Sequence, residues 1–189
     1  MKRNFIILIM IYTLLALFLS TKGYAQDKFE RIAFMFTQDV KLAVMEDDHG
    51  NKPFTPDVRI TMLWKGIPTN YGNLEVRTGF EYADLSVTKY IRYSGGVGYS
   101  FNWMPIPGIE YKYTIAPFIN YGIIVRGSNQ ATLGAFEFGF DLKFPIYKGW
   151  KVVSTMQWTD RNDINKRFDT FDAVRDNFNW GVGLEVIVL

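Results

Sequence analysis

The stretch Phe178-Asn179-Trp180-Gly181-Val182-Gly183-Leu184-Glu185-Val186-Ile187-Val188 decides the fold. Phe178, Trp180, Val182, Leu184, Val186 and Val188 occupy every second position. Asn177, Asn179, Gly181, Gly183 and Glu185 interleave with them, and Ile187 is the single apolar exception. Successive side chains of a strand point to opposite faces, so this period of two makes one face hydrocarbon and leaves the other small or polar.

Working outward, the same pattern returns from Phe136 to Ile146. Phe136, Phe138, Phe140, Leu142, Phe144 and Ile146 oppose Glu137, Gly139, Asp141 and Lys143. Tyr111 to Ile123 alternates with Lys112, Thr114, Ala116, Asn120 and Gly122, with Phe118 and Ile124 as large apolar residues on the polar side. Ile91 to Trp103 opposes Arg92, Ser94, Gly96, Gly98, Ser100 and Asn102. Val76, Phe80 and Tyr82 oppose Glu75, Arg77, Gly79 and Glu81. Val58 to Trp64 opposes Arg59, Thr61 and Lys65, and Val152, Met156 and Trp158 oppose Lys151, Thr155 and Gln157. A first strand is expected from about Arg31 to Val44, which gives eight.

The N-terminus reads differently. Lys2 and Arg3 precede a run from Phe5 to Leu19 that is apolar except at Thr13, and Gly23-Tyr24-Ala25 has the small-x-small form of a cleavage site. Residues 1–25 are therefore expected to be a secretory signal peptide, and 26–189 the mature domain. Of the 21 basic residues, Lys2, Arg3 and Lys22 lie in the signal, so the remainder carries 18 basic against 19 acidic side chains. Such a balance offers no sustained basic patch, and nucleic acid is not an expected partner. The chain has no cysteine, which excludes disulfides, thiolate metal sites and a cysteine nucleophile. No later stretch is apolar for the roughly 20 residues that a spanning helix needs.

Connections and aromatics add two further signals. The long segments 46–56 and 160–176 follow odd-numbered strands, while Gly66-Ile67-Pro68-Thr69-Asn70, Met104 to Ile109 and Tyr147-Lys148-Gly149 are turns after even-numbered ones. Outer-membrane barrels have this arrangement of short periplasmic turns and longer outer loops. Trp64, Tyr71, Trp103, Tyr111, Tyr147 and Trp150 flank the turns, and Trp158 and Trp180 lie toward the other strand ends. Two aromatic girdles are expected at those levels.

Period two alone does not say which face meets water. Turning the apolar rows inward would crowd Phe136, Phe138, Phe140 and Phe144 with neighbouring rings into a space that eight strands leave barely wide enough for ordinary side chains. With the rows outward, the interior receives glycine, hydroxyls and a nearly balanced set of charges. The positive members are Lys41, Arg59, Arg77, Arg92, Lys112, Lys143 and Lys151; the negative members are Asp39, Glu75, Glu81, Glu137, Asp141 and Glu185. A narrow lumen tolerates charges that are paired, so a plugged interior of ion pairs is expected, Glu81 with Arg92 among them. Eight strands of about 10 residues use roughly 80, about half of the mature chain, whereas sixteen would consume nearly all of it. The expected fold is all-β: an eight-stranded antiparallel up-and-down transmembrane β-barrel.

This pattern resembles the small eight-stranded outer-membrane barrels, the OmpX-like proteins and the transmembrane part of OmpA-like proteins, over about Asp27 to Leu189. The resemblance implies the bacterial outer membrane, with its lipid as the surrounding partner; a departure is that the sequence leaves no room after Leu189 for the peptidoglycan-binding domain of OmpA-like proteins, so a wall-anchoring role is not expected. The final residues Val186-Ile187-Val188-Leu189 depart from the terminal aromatic common in that family. A non-enzymatic structural, surface-exposed or accessory subunit is the leading expectation, with another outer-membrane protein or a surface ligand met through loops 46–56 and 160–176. The alternatives are an OmpW-like narrow conduit and a lipid A acyl-modifying enzyme. The enzyme reading draws on His49, Asp84 and Ser86, since the palmitoyltransferase type of small barrel uses a His, an Asp and a Ser on outer loops. His49 beside Glu46, Asp47 and Asp48 reads first as a hydrated loop tip. No cofactor or metal is expected: Asp160, Asp163, Asp169, Asp172 and Asp176 lack calcium-loop spacing. Gly95-Gly96-Val97-Gly98 sits within a strand and is expected to make room for bulky interior neighbours such as Tyr90 and Arg92.

Overall fold

The computed structural model describes residues 31–45, 50–66, 71–85, 89–103, 113–126, 133–147, 149–161 and 177–188. Among them the chain forms β1 (Arg31–Asp39), a short helix α1 (Val40–Val44), β2 (Asp57–Lys65), β3 (Gly72–Asp84), β4 (Lys89–Trp103), β5 (Tyr113–Arg126), β6 (Leu133–Tyr147), β7 (Trp150–Thr159) and β8 (Phe178–Ile187). Each strand pairs antiparallel with its sequence neighbour, and β1 pairs with β8 through Ala33↔Ile187 to Asp39↔Gly181. The sheet is thus a closed barrel in strand order, with no free edge.

Burial follows the period of two. Along β5, Thr114, Ala116, Phe118, Asn120, Gly122, Ile124 and Arg126 are buried while Pro117, Ile119, Tyr121 and Ile123 are exposed. Charged side chains are among the most buried, with Arg92 at 1% exposure and Glu75, Asp141, Lys143 and Glu185 at 0%, whereas Phe138 is 52% and Tyr93 55% exposed. This inverts a water-soluble protein. An outer surface carrying Phe36, Phe80, Phe136, Phe140 and Leu184 is stable against acyl chains, and closure satisfies the backbone groups that hydrocarbon cannot. The barrel is of the transmembrane kind.

The outer face is built from cross-strand rows. Ile119, Phe138, Trp158 and Phe178 stand side by side on β5 to β8, and Phe80 and Tyr93 meet at 5.3 Å between ring centroids. Tyr71 and Trp150, beside the turns after β2 and β6, are exposed, as is Trp180 toward the opposite end of the wall; Trp64 and Trp158 are half-buried. The Trp180 indole donates to Ser154 Oγ at 2.9 Å. The side chains of Trp103 and Tyr111, the signal segment and Lys112 lie outside the described residues.

Three expectations are corrected. The first strand stops at Asp39, because its carboxylate accepts from the Leu42 amide at 2.8 Å and caps α1 in place of continued pairing. Lys41 consequently sits half-buried on α1 and is no part of the barrel wall. Connection length does not strictly alternate either: segment 85–88 after β3 is short, although 40–56 and 160–177 are long. A further irregularity, the register shift between Pro145 and Tyr147, falls where proline has no amide proton to give the ladder.

Candidate functional site

The inward positions of the strands converge on two charged layers. The layer nearer the α1 end joins Arg59 on β2, Glu81 on β3, Arg92 on β4 and Glu137 on β6. Arg59 Nη2 lies 2.7 Å from Glu81 Oε2 and 3.0 Å from Glu137 Oε2. Arg92 Nη2 is 2.6 Å from the same Glu81 oxygen, and its Nη1 is ion-paired with Glu137. Two guanidinium groups and two carboxylates thus form a neutral ring. Asn120 Nδ2 donates to Glu137 at 2.8 Å and Arg92 Nη1 to Thr159 Oγ1 at 3.3 Å, so the ring is bonded to β5 and β7 as well.

The second layer is a chain of alternating charge. Arg77 Nη1 meets Asp141 Oδ2 at 2.7 Å and Glu75 Oε2 at 3.5 Å; Lys143 Nζ meets Glu75 at 2.9 Å and Glu185 at 3.0 Å. Lys65 also pairs with Glu185, and Lys151 stands 3.8 Å from it. Thr155 Oγ1 donates to Asp141 at 2.8 Å, and Ser100 donates to Glu75. The guanidinium of Arg77 lies 4.0 Å above the Phe118 ring, which explains the one aromatic that breaks the alternation of β5 from inside.

Ten of the thirteen charges expected inside are therefore placed in these two layers; Asp39 is buried at the α1 end, Lys41 lies on α1, and Lys112 lies outside the described residues. The sequence reading left Lys65 out of the interior set, although it shares the polar face of β2 and is buried. Buried Asp57 and Arg126 were also omitted. The glycines of β4 do make room, but for other neighbours than expected: a Cβ at Gly98 would press on Phe118 Cβ at 3.2 Å and Arg77 Cδ at 3.4 Å.

Toward the α1 end the lumen divides. On the β3 to β6 side Ala83, Tyr90, Ile124 and Ala135 pack as an apolar cluster against Leu85. Arg161 and Arg126 stand over the Tyr90 ring at 4.7 and 5.6 Å. On the β7, β8, β1 and β2 side the wall is polar. Asp84 ends β3 as an exposed residue opposite Lys89. Its proposed companions His49 and Ser86 lie outside the described residues, so the catalytic alternative gains no geometry. Among the described residues no group of three or more histidine or acidic side chains is placed to hold a metal ion.

No family model matches the chain, and no curated protein does. Two solved structures are similar in fold. The outer-membrane protein Ail of Yersinia pestis, solved in a phospholipid bilayer nanodisc, aligns at 11% identity and a TM-score of 0.49 over 84% of this chain and 99% of its own. A de novo designed transmembrane β-barrel aligns at 11% identity and a TM-score of 0.42 over 87% of this chain and 99% of its own.

Proposed function

We propose that this chain is a small bacterial outer-membrane barrel of the OmpX-like or OmpA-transmembrane type, acting without catalysis as a structural, surface-exposed or accessory subunit. The observation that carries this reading is the bridging of the lumen. Arg59 to Glu137 joins strands on opposite sides of the ring, and Arg77 to Asp141 and Lys143 to Glu75 join β3 to β6 one layer further along. An OmpW-like conduit needs a continuous path, and opening one here would separate buried ion pairs at several kcal/mol each. With its interior committed to bracing, the barrel offers partners its lipid face and the loops 46–56 and 160–176.

Planar-bilayer recording on the purified, folded chain tests the sealed lumen: stable insertion without discrete conductance supports the reading, and a large steady conductance defeats it. Purification from native membrane in mild detergent tests the accessory role through co-purifying protein. Turnover of lipid A by the wild type, lost in Ser86→Ala, would replace the proposal with the enzymatic alternative.

A further inference from the structure

The polar side of the lumen at the α1 end holds a recess whose wall includes Thr37 and Asp39 of β1, Asp57 of β2, Gln157 of β7 and Asn179 of β8, with room for about one water-sized particle. Glu81 and Arg59 form its floor. Both aspartates are buried, at 7% and 8% exposure. Glu81 is matched by Arg59 and Arg92, but neither Asp39 nor Asp57 forms an ion pair with a described residue. Asp39 accepts from the backbone amides of Leu42 and Lys41 and from the Asn179 side chain. Lys41 acts electrostatically on Asp39, and Arg161 and Arg59 act on Asp57; Arg161 also stands over Tyr90.

A second feature is independent of the charges. Gln157 is 4% exposed, lines the recess, and its Oε1 accepts no hydrogen bond. A buried amide oxygen without a donor keeps its desolvation penalty unless something electropositive meets it. Two buried carboxylates, an orphaned amide oxygen and a threonine hydroxyl around one small space are all hard oxygen donors.

We infer that this recess is a binding site for a hard divalent cation, calcium, held by Asp39, Asp57 and Gln157 where the barrel closes between β8 and β1. Two carboxylates neutralise the ion, and the neutral oxygens of Gln157 and Thr37 complete the protein's share of the shell. Calcium suits an irregular set of ligands from three strands, whereas magnesium demands near-ideal octahedral geometry and keeps several waters, for which the space is too small. A bound ion would tie β1 and β2 to β7 across the closing strand β8, at the end of the barrel that also bears the long connections.

The test is isothermal titration of calcium chloride into the full, folded chain in nanodiscs after chelator treatment. One saturable site with a Kd on the order of 0.1–1 mM is expected, in the range of extracellular calcium modules. Asp57→Asn should weaken it at least tenfold and Gln157→Leu severalfold, with magnesium binding at least tenfold more weakly than calcium. Should Asp57→Asn fail to fold, Gln157→Leu decides. Absence of saturable binding up to about 10 mM, far above that range, overturns the inference. So does a folded variant that binds like the wild type, or equal affinity for magnesium.

Discussion

Arg59 and Glu137 face each other across the full width of the barrel, β2 to β6, with Nη2 and Oε2 3.0 Å apart. In a ring of eight strands these two are diametrically opposed. The same glutamate also pairs with Arg92, and Arg59 and Arg92 share Glu81.

Removing one member therefore leaves charge without an outlet. Glu137→Ala places two guanidinium groups around Glu81 alone, and should destabilise the barrel by about 3–5 kcal/mol, the usual cost of breaking a buried pair. Reversible urea unfolding in lipid vesicles measures it. Replacing Arg59, Glu81, Arg92 and Glu137 together by apolar residues of similar volume should cost much less, because no charge is stranded.

The lipid face makes a depth-dependent prediction. Phe140 lies midway along β6, and Phe140→Arg should cost about 2–4 kcal/mol, whereas Ile146→Arg, near the strand end, should cost about 0–1 kcal/mol. Equal penalties at the two depths would contradict a hydrocarbon-facing wall.

Barrel closure depends on a close approach. Gly183 of β8 stands opposite Thr37 of β1, and a Cβ there would run into the carbonyl of Phe36. Gly183→Val should force the closing strands apart, lowering stability by about 1–3 kcal/mol as overpacking does. The loss should appear as reduced folded yield and weaker heat-resistant compaction on gel electrophoresis.

Phe118 offers a milder test. Phe118→Leu keeps an apolar side chain but removes the face beneath Arg77, and should cost about 2 kcal/mol, in line with a desolvated cation–aromatic contact. The measurement is the same urea midpoint.

Most of the architecture was legible because a membrane barrel writes it into a period of two. Phe138, Trp180 and Leu184 could face nothing but lipid once Glu137, Asp141 and Glu185 were assigned to the inside. What periodicity could not supply was partner choice. Glu81 and Arg92 are opposite each other in adjacent strands, but Arg59 with Glu137 and Arg77 with Asp141 depend on how the strands stagger around the ring. The end of β1 was misjudged for a local reason: even positions from Arg31 to Val44 keep alternating, and only the capping geometry of Asp39 reveals the turn into α1. Gln157 gave no signal, since an orphaned amide oxygen is a property of packing alone.

The orientation of the strands is open to one direct measurement. The chain has no cysteine, so Phe138→Cys and Leu184→Cys each accept a single spin label. With the protein reconstituted in bilayers, relaxation by oxygen, which partitions into hydrocarbon, is compared with relaxation by a water-soluble nickel chelate. Both labels should be strongly relaxed by oxygen and scarcely by nickel. Strong relaxation by nickel at both sites, in a protein that stays monomeric without detergent, would contradict the outward-facing apolar wall on which the rest depends.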